Sequence, residues 1–288
     1  MTGNTQTPIK PSLTILIPGL NGSGLELGQL PRFLEKNGHD VLVPDLDGFL
    51  FGTPADNFHT WLSQLHFLID SMAGKYASIH LGGISMGATL ALAVASQRSD
   101  IGSIILMSPV LKYDGWSVPW YRPLLDVLYL IGARSWKYRE RAPFGVKNAD
   151  LQRRIAEKFK TAEVSEVGAA SITSRHLHEA KCLMSYAKSH LDLISNRVLI
   201  IQSVEDDTCS IWSAQEILHN ISSELRRVIW LGNSYHIVTI DNEREIVLNE
   251  CLRFLDRANA IDTGMEHYYS THKPKLLKAR NQERIDLG

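Results

Sequence analysis

Three side chains that together can perform nucleophilic catalysis lie far apart in this 288-residue sequence: Ser85, Asp206 and His236. Ser85 is the centre of a G-x-S-x-G motif, which follows an apolar segment and precedes one rich in alanine and leucine. A serine hydroxyl is a weak nucleophile at neutral pH, so it needs a neighbouring base, and the base needs a group that orients it. The three residues therefore indicate a hydroxyl nucleophile, an imidazole base and an orienting carboxylate.

The glycines on either side of Ser85 suit a tight turn between a strand and a helix. Such a turn forces its central residue into strained dihedral angles, and the residues two before and two after it must be small. Gly83 and Gly87 meet this need. The turn would raise Ser85 Oγ clear of the backbone, at the positive end of the following helix. The motif alone leaves one alternative open, a glycine-rich turn with a solvated serine.

The chain order Ser, Asp, His is that of α/β-hydrolases. Asp206 ends a Q-x-x-x-D sequence and His236 lies in an S-x-H-x-x-T-x-D sequence, and both resemble patterns of the carboxylesterase and monoacylglycerol lipase branch of that superfamily. The resemblance implies that Ser85 is the nucleophile, Asp206 the orienting acid and His236 the base. Glu205 and Asp207, which flank Asp206, are rival candidates for the acid.

Attack on a carbonyl places negative charge on its oxygen, which two fixed backbone N–H groups can stabilise. One donor is expected from Met86, directly after the nucleophile. The resemblance places the other at the N–H of Leu20, in the glycine-rich loop after the first predicted strand. Pro18 stands in that loop where the family usually has histidine. Because the donor is a main-chain group, this departure does not remove it.

The same loop supports an alternative from another class. Its glycines at positions 22, 24 and 28, with Asp45 and Asp47 after the next predicted strand, are similar to the turn of an NAD(P)-dependent oxidoreductase. However, the Tyr-x-x-x-Lys sequence of such enzymes occurs only at residues 269–273, in the polar tail. A non-catalytic binding module with a hydrolase fold is a third alternative. Neither alternative accounts for a candidate at every catalytic position.

Apolar, strand-like segments alternate with amphipathic, helix-like segments along the chain. The predicted strands are residues 13–17, 41–43, 77–81, 101–107, 198–201 and 228–231, and the predicted helices are residues 24–37, 58–69, 86–97, 211–221 and 243–257. This alternation predicts βαβ units and a mostly parallel, doubly wound sheet. The fold class is therefore α/β, and the resemblance, which extends over residues 13–255, makes it the α/β-hydrolase fold.

The alternation stops between residues 113 and 195, a stretch too long for a plain loop. It has no clear strand, so we predict a helical cap (113–195) inserted before the last two strands of an α/β-hydrolase core (11–112 and 196–260). The cap residues Trp116, Trp120 and Trp136 are candidates to line an acyl pocket, and packing between cap helices is the alternative.

The remaining residues, 261–288, form a polar and mildly basic C-terminal extension. A solvated extension is expected there, with contact to a membrane surface as the alternative.

The composition excludes several classes. Apolar residues make up 44%, charged residues 21% and the net charge is −1, which argues against a disordered chain and against a nucleic-acid partner. The three cysteines lack C-x-x-C spacing, and the sequence shows neither a secretory signal nor a membrane span. We therefore expect a soluble cytoplasmic protein with reduced thiols. The histidine spacing predicts no metal, and no cofactor is expected.

Together these features predict a serine hydrolase that acts on small-molecule acyl esters through an acyl-enzyme intermediate. The apolar, aromatic cap favours short- to medium-chain carboxylic esters or monoacylglycerols. Thioesterase, amidase and acyltransferase activities use the same machinery and remain open, as does the oligomeric state.

Overall fold

The computed structural model describes residues 10–121, 124–125, 129–132 and 134–262. The predicted C-terminal extension lies outside the described residues from position 263 onward. The strands within these ranges are β1 (Lys10–Ile17), β2 (Asp40–Leu42), β3 (Tyr76–Ile84), β4 (Ile101–Met107), β5 (Lys137–Arg139), β6 (Val164–Ser165), β7 (Gly168–Ala169), β8 (Ser171–Thr173), β9 (Arg197–Ser203) and β10 (Arg226–Leu231).

Six of these strands form one sheet in the order β10-β9-β4-β3-β1-β2, and every described pairing in it is parallel. Parallel strands need crossover connections, which place helices over the sheet and bury both of its faces. The long apolar runs of β1, β4 and β9 fit that burial. The predicted α/β fold with a parallel sheet is confirmed.

Helices cover the sheet on both sides. They are α1 (Leu30–Lys36), α2 (Phe58–Met72), α3 (Met86–Ala95), α4 (Ala149–Lys158), α5 (Ser174–Ser189), α6 (Trp212–Asn220) and α7 (Arg244–Asp262). The apolar side chains of α2, α3, α5 and α6 form one buried cluster with the sheet. Those of α1, α4 and α7 form a second cluster on the other face.

One predicted helix is interrupted. Residues 24–37 form a single 3₁₀ turn (Gly24–Leu27) and then α1, which begins at Leu30. Gly28 lies between them with φ +56°, a left-handed conformation that a continuing helix does not allow. Pro31, in the first turn of α1, has no N–H to donate to a preceding carbonyl. The apolar spacing predicted the buried side chains but not this break.

The segment predicted to be inserted, residues 113–195 and called the insertion below, contains strands that the sequence analysis did not predict. β5 pairs with β8 and β6 pairs with β7, both antiparallel, while α4 and α5 supply its helices. Strands of two or three residues are too short to show an alternating pattern, which explains the omission. Leu151 and Ile155 of α4 are buried together with side chains of α1 and α7, so the insertion is packed onto the core.

None of the helices in the described part of the chain is long and apolar enough to cross a membrane.

Candidate active site

Four of the predicted site residues lie directly after strands of the six-stranded sheet. Leu20 follows β1, Ser85 follows β3, Asp206 follows β9 and His236 follows β10. Because the strands run parallel, these loops leave the sheet at the same edge. In open α/β sheets this carboxyl edge is where ligands bind.

Ser85 lies at the turn between β3 and α3, in a conformation that few residues adopt. Its φ and ψ are 56° and −124°, and strain of this kind persists only where the surroundings enforce it. A Cβ on Gly83 would collide with the backbone of Gly87, and a Cβ on Gly87 would collide with the carbonyl oxygens of Ile17 and Pro18. Residues 83 and 87 therefore have to be glycine, because a larger residue would clash, and this meets the need for small residues that the sequence analysis expected.

A continuous chain of hydrogen bonds connects the three distant side chains. His236 Nε2 lies 2.8 Å from Ser85 Oγ, and His236 Nδ1 lies 2.8 Å from Asp206 Oδ2 and 3.0 Å from Oδ1. Asp206 Oδ1 also accepts the backbone N–H groups of Thr208 and Cys209, each at 2.9 Å. Nδ1 must carry the proton shared with a carboxylate, which leaves Nε2 free to accept one from the serine.

Burial and charge act against each other on the two ionisable groups. Burial alone would raise the pKa of Asp206. The neighbouring imidazole and the two backbone donors lower the pKa by more than burial raises it, so the net shift is downward. Burial would lower the pKa of His236, yet the carboxylates around it, first of all Asp206, raise it on balance. Asp206 is thus held as a carboxylate that favours a positive charge on His236.

Of the three candidate acids, Asp206 is the one whose carboxylate bonds the imidazole. Glu205 is about half exposed and forms an ion pair with Lys147 of the insertion. Asp207 is buried, and its Oδ2 accepts the N–H of Gly145 at 3.2 Å. Burial raises the pKa of Asp207. Spacing along the chain left these three open, and only their positions in space separate them.

The loop that carries His236 is held from both sides. The carbonyl of His236 accepts the Ser108 hydroxyl at 2.6 Å. Asp241, the last residue of the S-x-H-x-x-T-x-D sequence, accepts the N–H of Tyr235 within the same loop and that of Lys147 in the insertion. These bonds fix the imidazole relative to both parts of the molecule.

The two predicted oxyanion donors border the same cavity as Ser85 and His236. Met86 is the first residue of α3, where a backbone N–H has no acceptor within the helix. Leu20 lies in the loop after β1, in a tight turn closed by the N–H of Gly22 and the carbonyl of Gly19 at 3.1 Å. The loop and the helix therefore place both residues at the cavity that Ser85 borders.

The cavity has a volume of about 180 Å³. Its apolar wall is formed largely by the insertion, through side chains that include Val118, Leu125, Phe144, Val167, Ile172 and Leu177. Glu26, Glu140 and Tyr138 add polar groups to the lining. Apolar side chains with polar groups placed among them are typical of sites for small organic ligands.

The three predicted cap tryptophans are not among the residues that line this cavity. Trp116 is 61% exposed and donates its Nε1–H to the carbonyl of Glu205, and Trp120 is 90% exposed. Trp136 borders a second hollow within the insertion, with Tyr129 and with His178 of α5. The structure thus places smaller apolar side chains, rather than these rings, next to Ser85.

The glycine-rich loop does not form a cradle for a phosphate. The carboxyl group of Glu26 accepts the N–H of Gly19 at 2.6 Å and lies against Gly22, where a dinucleotide pyrophosphate would need room and positive potential. This geometry disfavours the oxidoreductase alternative.

Within the described residues, Asp206, Cys209 and His236 are the group whose donor atoms come closest to a metal-ligand arrangement. Burial raises the pKa of the Cys209 thiol well above its usual range, so the thiol stays protonated. It lies 3.5 Å from Asp206 Oδ2, as a weak donor. These three residues act as a hydrogen-bonded unit.

The sequence analysis did not identify Glu26, Glu140 or Cys209 as neighbours of the site, and it considered Asp207 only as a rival for the orienting acid. The one available signal was the position of Glu26, an acidic residue between two leucines, Leu25 and Leu27. The others lie in loops or short strands, where no periodicity marks the residues that face inward.

The sheet topology, with a serine at a strained strand-to-helix turn, defines an α/β-hydrolase fold. A sequence model of the serine aminopeptidase (S33) family matches residues 10–244. The chain therefore belongs to this family of α/β hydrolases.

Two curated proteins are similar to the chain over most of their length. A thermostable monoacylglycerol lipase of Bacillus sp. (strain H-257) is 25% identical over 245 residues, which cover 83% of this chain and 88% of the lipase. A carboxylesterase of Bacillus subtilis (strain 168) is 22% identical over 253 residues, covering 84% and 92%. The predicted resemblance is thus confirmed.

Solved structures show the same fold. The crystal structure of a monoacylglycerol lipase from Paleococcus ferrophilus matches with a TM-score of 0.73 at 17% identity, covering 87% of this chain and 96% of that one. A soluble variant of a monoglyceride lipase from Saccharomyces cerevisiae matches with a TM-score of 0.73 at 14% identity, covering 88% of each chain.

Proposed function

We propose that the protein is a serine hydrolase that cleaves short- to medium-chain carboxylic esters or monoacylglycerols, with Ser85 as nucleophile, His236 as base and Asp206 as orienting acid. The observation that carries the proposal is the hydrogen-bonded chain Ser85 Oγ–His236 Nε2 and His236 Nδ1–Asp206. A monoacylglycerol lipase and a carboxylesterase among the similar proteins support ester hydrolysis.

In the first half of the reaction, Ser85 Oγ attacks the carbonyl carbon of the ester while His236 Nε2 takes the hydroxyl proton. The carbonyl oxygen becomes an oxyanion and accepts the N–H groups of Leu20 and Met86. His236 then gives its proton to the oxygen of the leaving alcohol, and the carbon–oxygen bond of the ester breaks. The acyl group remains on Ser85.

In the second half, water takes the place of the alcohol. His236 removes a proton from the water, whose oxygen attacks the acyl carbon, and the same two backbone donors bind the second oxyanion. His236 returns the proton to Ser85 Oγ as the carboxylic acid leaves. Asp206 stays ionised throughout and stabilises the imidazolium that forms in each half.

The size and lining of the cavity support the choice of substrate. A volume of about 180 Å³ is small, and the wall that the insertion contributes is mostly apolar. We propose that residues 113–195 act as a cap that encloses the acyl group. Short to medium acyl chains fit such an enclosure better than charged substrates do.

The test is Ser85→Ala, assayed with p-nitrophenyl butyrate together with the wild-type protein. We expect kcat to fall by at least ~1,000-fold while the thermal unfolding midpoint stays near that of the wild type. A fluorophosphonate should label the wild-type protein and leave Ser85→Ala unlabelled. Hydrolysis by Ser85→Ala at the wild-type rate would contradict the assignment.

Substrate class is tested by one acyl series presented as esters, thioesters and amides. The proposal expects the highest kcat/KM for esters of short to medium chains. A clear preference for thioesters or amides would show that the same three residues catalyse a different reaction, and it would overturn the ester assignment.

A further inference from the structure

Glu26, in the 3₁₀ turn after β1, is a buried acid that the proposed mechanism does not use. It is 3% exposed, and it borders the cavity that holds Ser85 and His236. Its Oε2 accepts the N–H of Gly19 at 2.6 Å. A carboxyl group taken out of water costs free energy unless its oxygens are bonded, so its position calls for a physical explanation.

The contact with Glu26 restricts the backbone that precedes the proposed oxyanion donor. Gly19 is held at both of its polar groups: its N–H by Glu26, and its C=O by the N–H of Gly22 at 3.1 Å. The C=O of Gly19 and the N–H of Leu20 belong to one planar trans peptide group, in which they point in opposite directions. Holding Gly19 therefore sets the direction of the Leu20 N–H.

The carboxyl group is enclosed by backbone on more than one side. A Cβ on Gly22, or on Gly168 of β7, would overlap with Glu26 Oε1, so the carboxyl group packs against two bare Cα atoms. The main-chain oxygen of Glu26 accepts the hydroxyl of Thr239, in the loop that carries His236. Glu26 thereby joins the loop after β1, the insertion and the histidine loop.

We propose that Glu26 is a positioning residue of the oxyanion-binding loop. Its carboxyl group holds the N–H of Gly19 so that the N–H of Leu20 points at the carbonyl oxygen of a substrate above Ser85. This inference rests on the proposed function. Glu26 acts through Gly19 and Leu20 and does not itself take part in a bond-making step.

The acceptor role of Glu26 can be separated from its charge. Burial raises its pKa to about 7, although the Gly19 hydrogen bond and the charge of His236 act in the opposite direction. Ionised or neutral, the group keeps an oxygen that can accept the Gly19 N–H. Its negative charge, together with the charges of Asp206 and Asp207, also raises the pKa of His236. The charge of Glu140, in the insertion, in turn raises the pKa of Glu26.

The experiment compares Glu26→Gln, Glu26→Asp and Glu26→Ala with the wild type and with Glu35→Ala, an exposed acid on α1 as the matched control. Active sites are counted by complete reaction with a fluorophosphonate, so that kcat for p-nitrophenyl butyrate is expressed per competent site. Thermal unfolding and the pH dependence of kcat/KM are measured for each variant.

Glutamine at position 26 keeps an oxygen that can accept the Gly19 N–H. Aspartate moves the oxygen away because its side chain is one methylene shorter, and alanine has no acceptor. We expect kcat per site to fall roughly 10- to 100-fold in Glu26→Ala and Glu26→Asp, with KM changed less than about 3-fold. Glu26→Gln should stay within about 5-fold of the wild type, and its acidic limb should move to lower pH because the charge near His236 is gone. Glu35→Ala should match the wild type.

The inference would be overturned if Glu26→Ala or Glu26→Asp had the same kcat per labelled site as the wild type. This holds even if the fluorophosphonate labels fewer sites in the variant or the variant unfolds at a lower temperature. Equal losses in Glu26→Gln and Glu26→Ala would also overturn it, because the acceptor would then not be the feature that matters. If Glu26→Ala fails to fold, the contrast between aspartate and glutamine decides. A wild type that hydrolyses no faster than Ser85→Ala would instead refute the proposed function itself.

Discussion

The carboxyl edge of the sheet and the insertion of residues 113–195 meet at one cavity, but they are built differently. At the edge, Ser85, Asp206 and His236 sit in loops that parallel strands hold in place, and Asp206 and His236 are almost fully buried. In the insertion, the strands have two or three residues, and Trp120 and Leu130 are 90% and 73% exposed.

From this difference we infer separate physical roles for the two regions. Reacting groups need fixed geometry, which the sheet provides through buried hydrogen bonds. The insertion contributes the apolar wall of the cavity, so substitutions there should change which acyl groups are accepted more than they change the chemical step. Substitutions in both regions, with effects expected to range from large to small, test whether the two regions have these separate roles.

The largest expected effect is at the edge of the sheet. Asp206→Asn should lower kcat by about 1,000-fold, because a neutral amide neither orients Nδ1–H in the same way nor stabilises the imidazolium. The matched control is Asp207→Asn, whose side chain can still accept the Gly145 N–H and should retain kcat within about 5-fold. Steady-state kinetics of the two variants decide which acid orients His236. A larger loss of kcat in Asp207→Asn than in Asp206→Asn would assign that role to Asp207.

The pH profile should be steep on its acidic side. In the proposed mechanism His236 must be neutral to accept the Ser85 proton. Its pKa lies above the ordinary value of 6.5 because the surrounding carboxylates outweigh the effect of burial. Activity is therefore present above this pKa and is lost as the pH falls through it, about tenfold per pH unit. A kcat/KM profile that is flat from pH 5 to 8 would contradict His236 as base.

A smaller effect is expected from filling the cavity on the insertion side. Ile172 of β8 lines the cavity, and Ile172→Trp should reduce the space left for an acyl chain. We expect kcat/KM for an octanoyl ester to fall roughly 10-fold relative to an acetyl ester, since each methylene excluded loses binding free energy. Equal changes for both esters would place the acyl chain elsewhere.

The smallest effect is expected at the surface of the insertion. Trp120 is 90% exposed and does not line the cavity, so Trp120→Ala should change kcat/KM for p-nitrophenyl butyrate by less than about 2-fold. Assays with dissolved substrate measure this directly. A loss of kcat/KM as large as that expected for Ile172→Trp would indicate that Trp120 contacts the acyl group after all.

Much of the fold could be predicted because its signals are local. The apolar segments that became β4 and β9, and the helical spacing of α2, are visible within a few residues, since strand and helix periods are properties of the backbone itself. The turn at Ser85 was predictable for the same reason, because Gly83 and Gly87 satisfy a steric need within five consecutive residues.

The remaining features depend on residues that are distant in sequence. Asp206 and Asp207 are neighbours with the same side chain. Only the position of His236, in the loop after the adjacent strand of the sheet, distinguishes them. Glu26 gains its partner from the turn at Gly19 and its enclosure from Gly168 of the insertion. Local periodicity determined which segments are strands and helices, whereas long-range packing decided which polar groups meet. The physical reason is that a hydrogen bond between two loops depends on their relative positions, and the assembled sheet determines those positions.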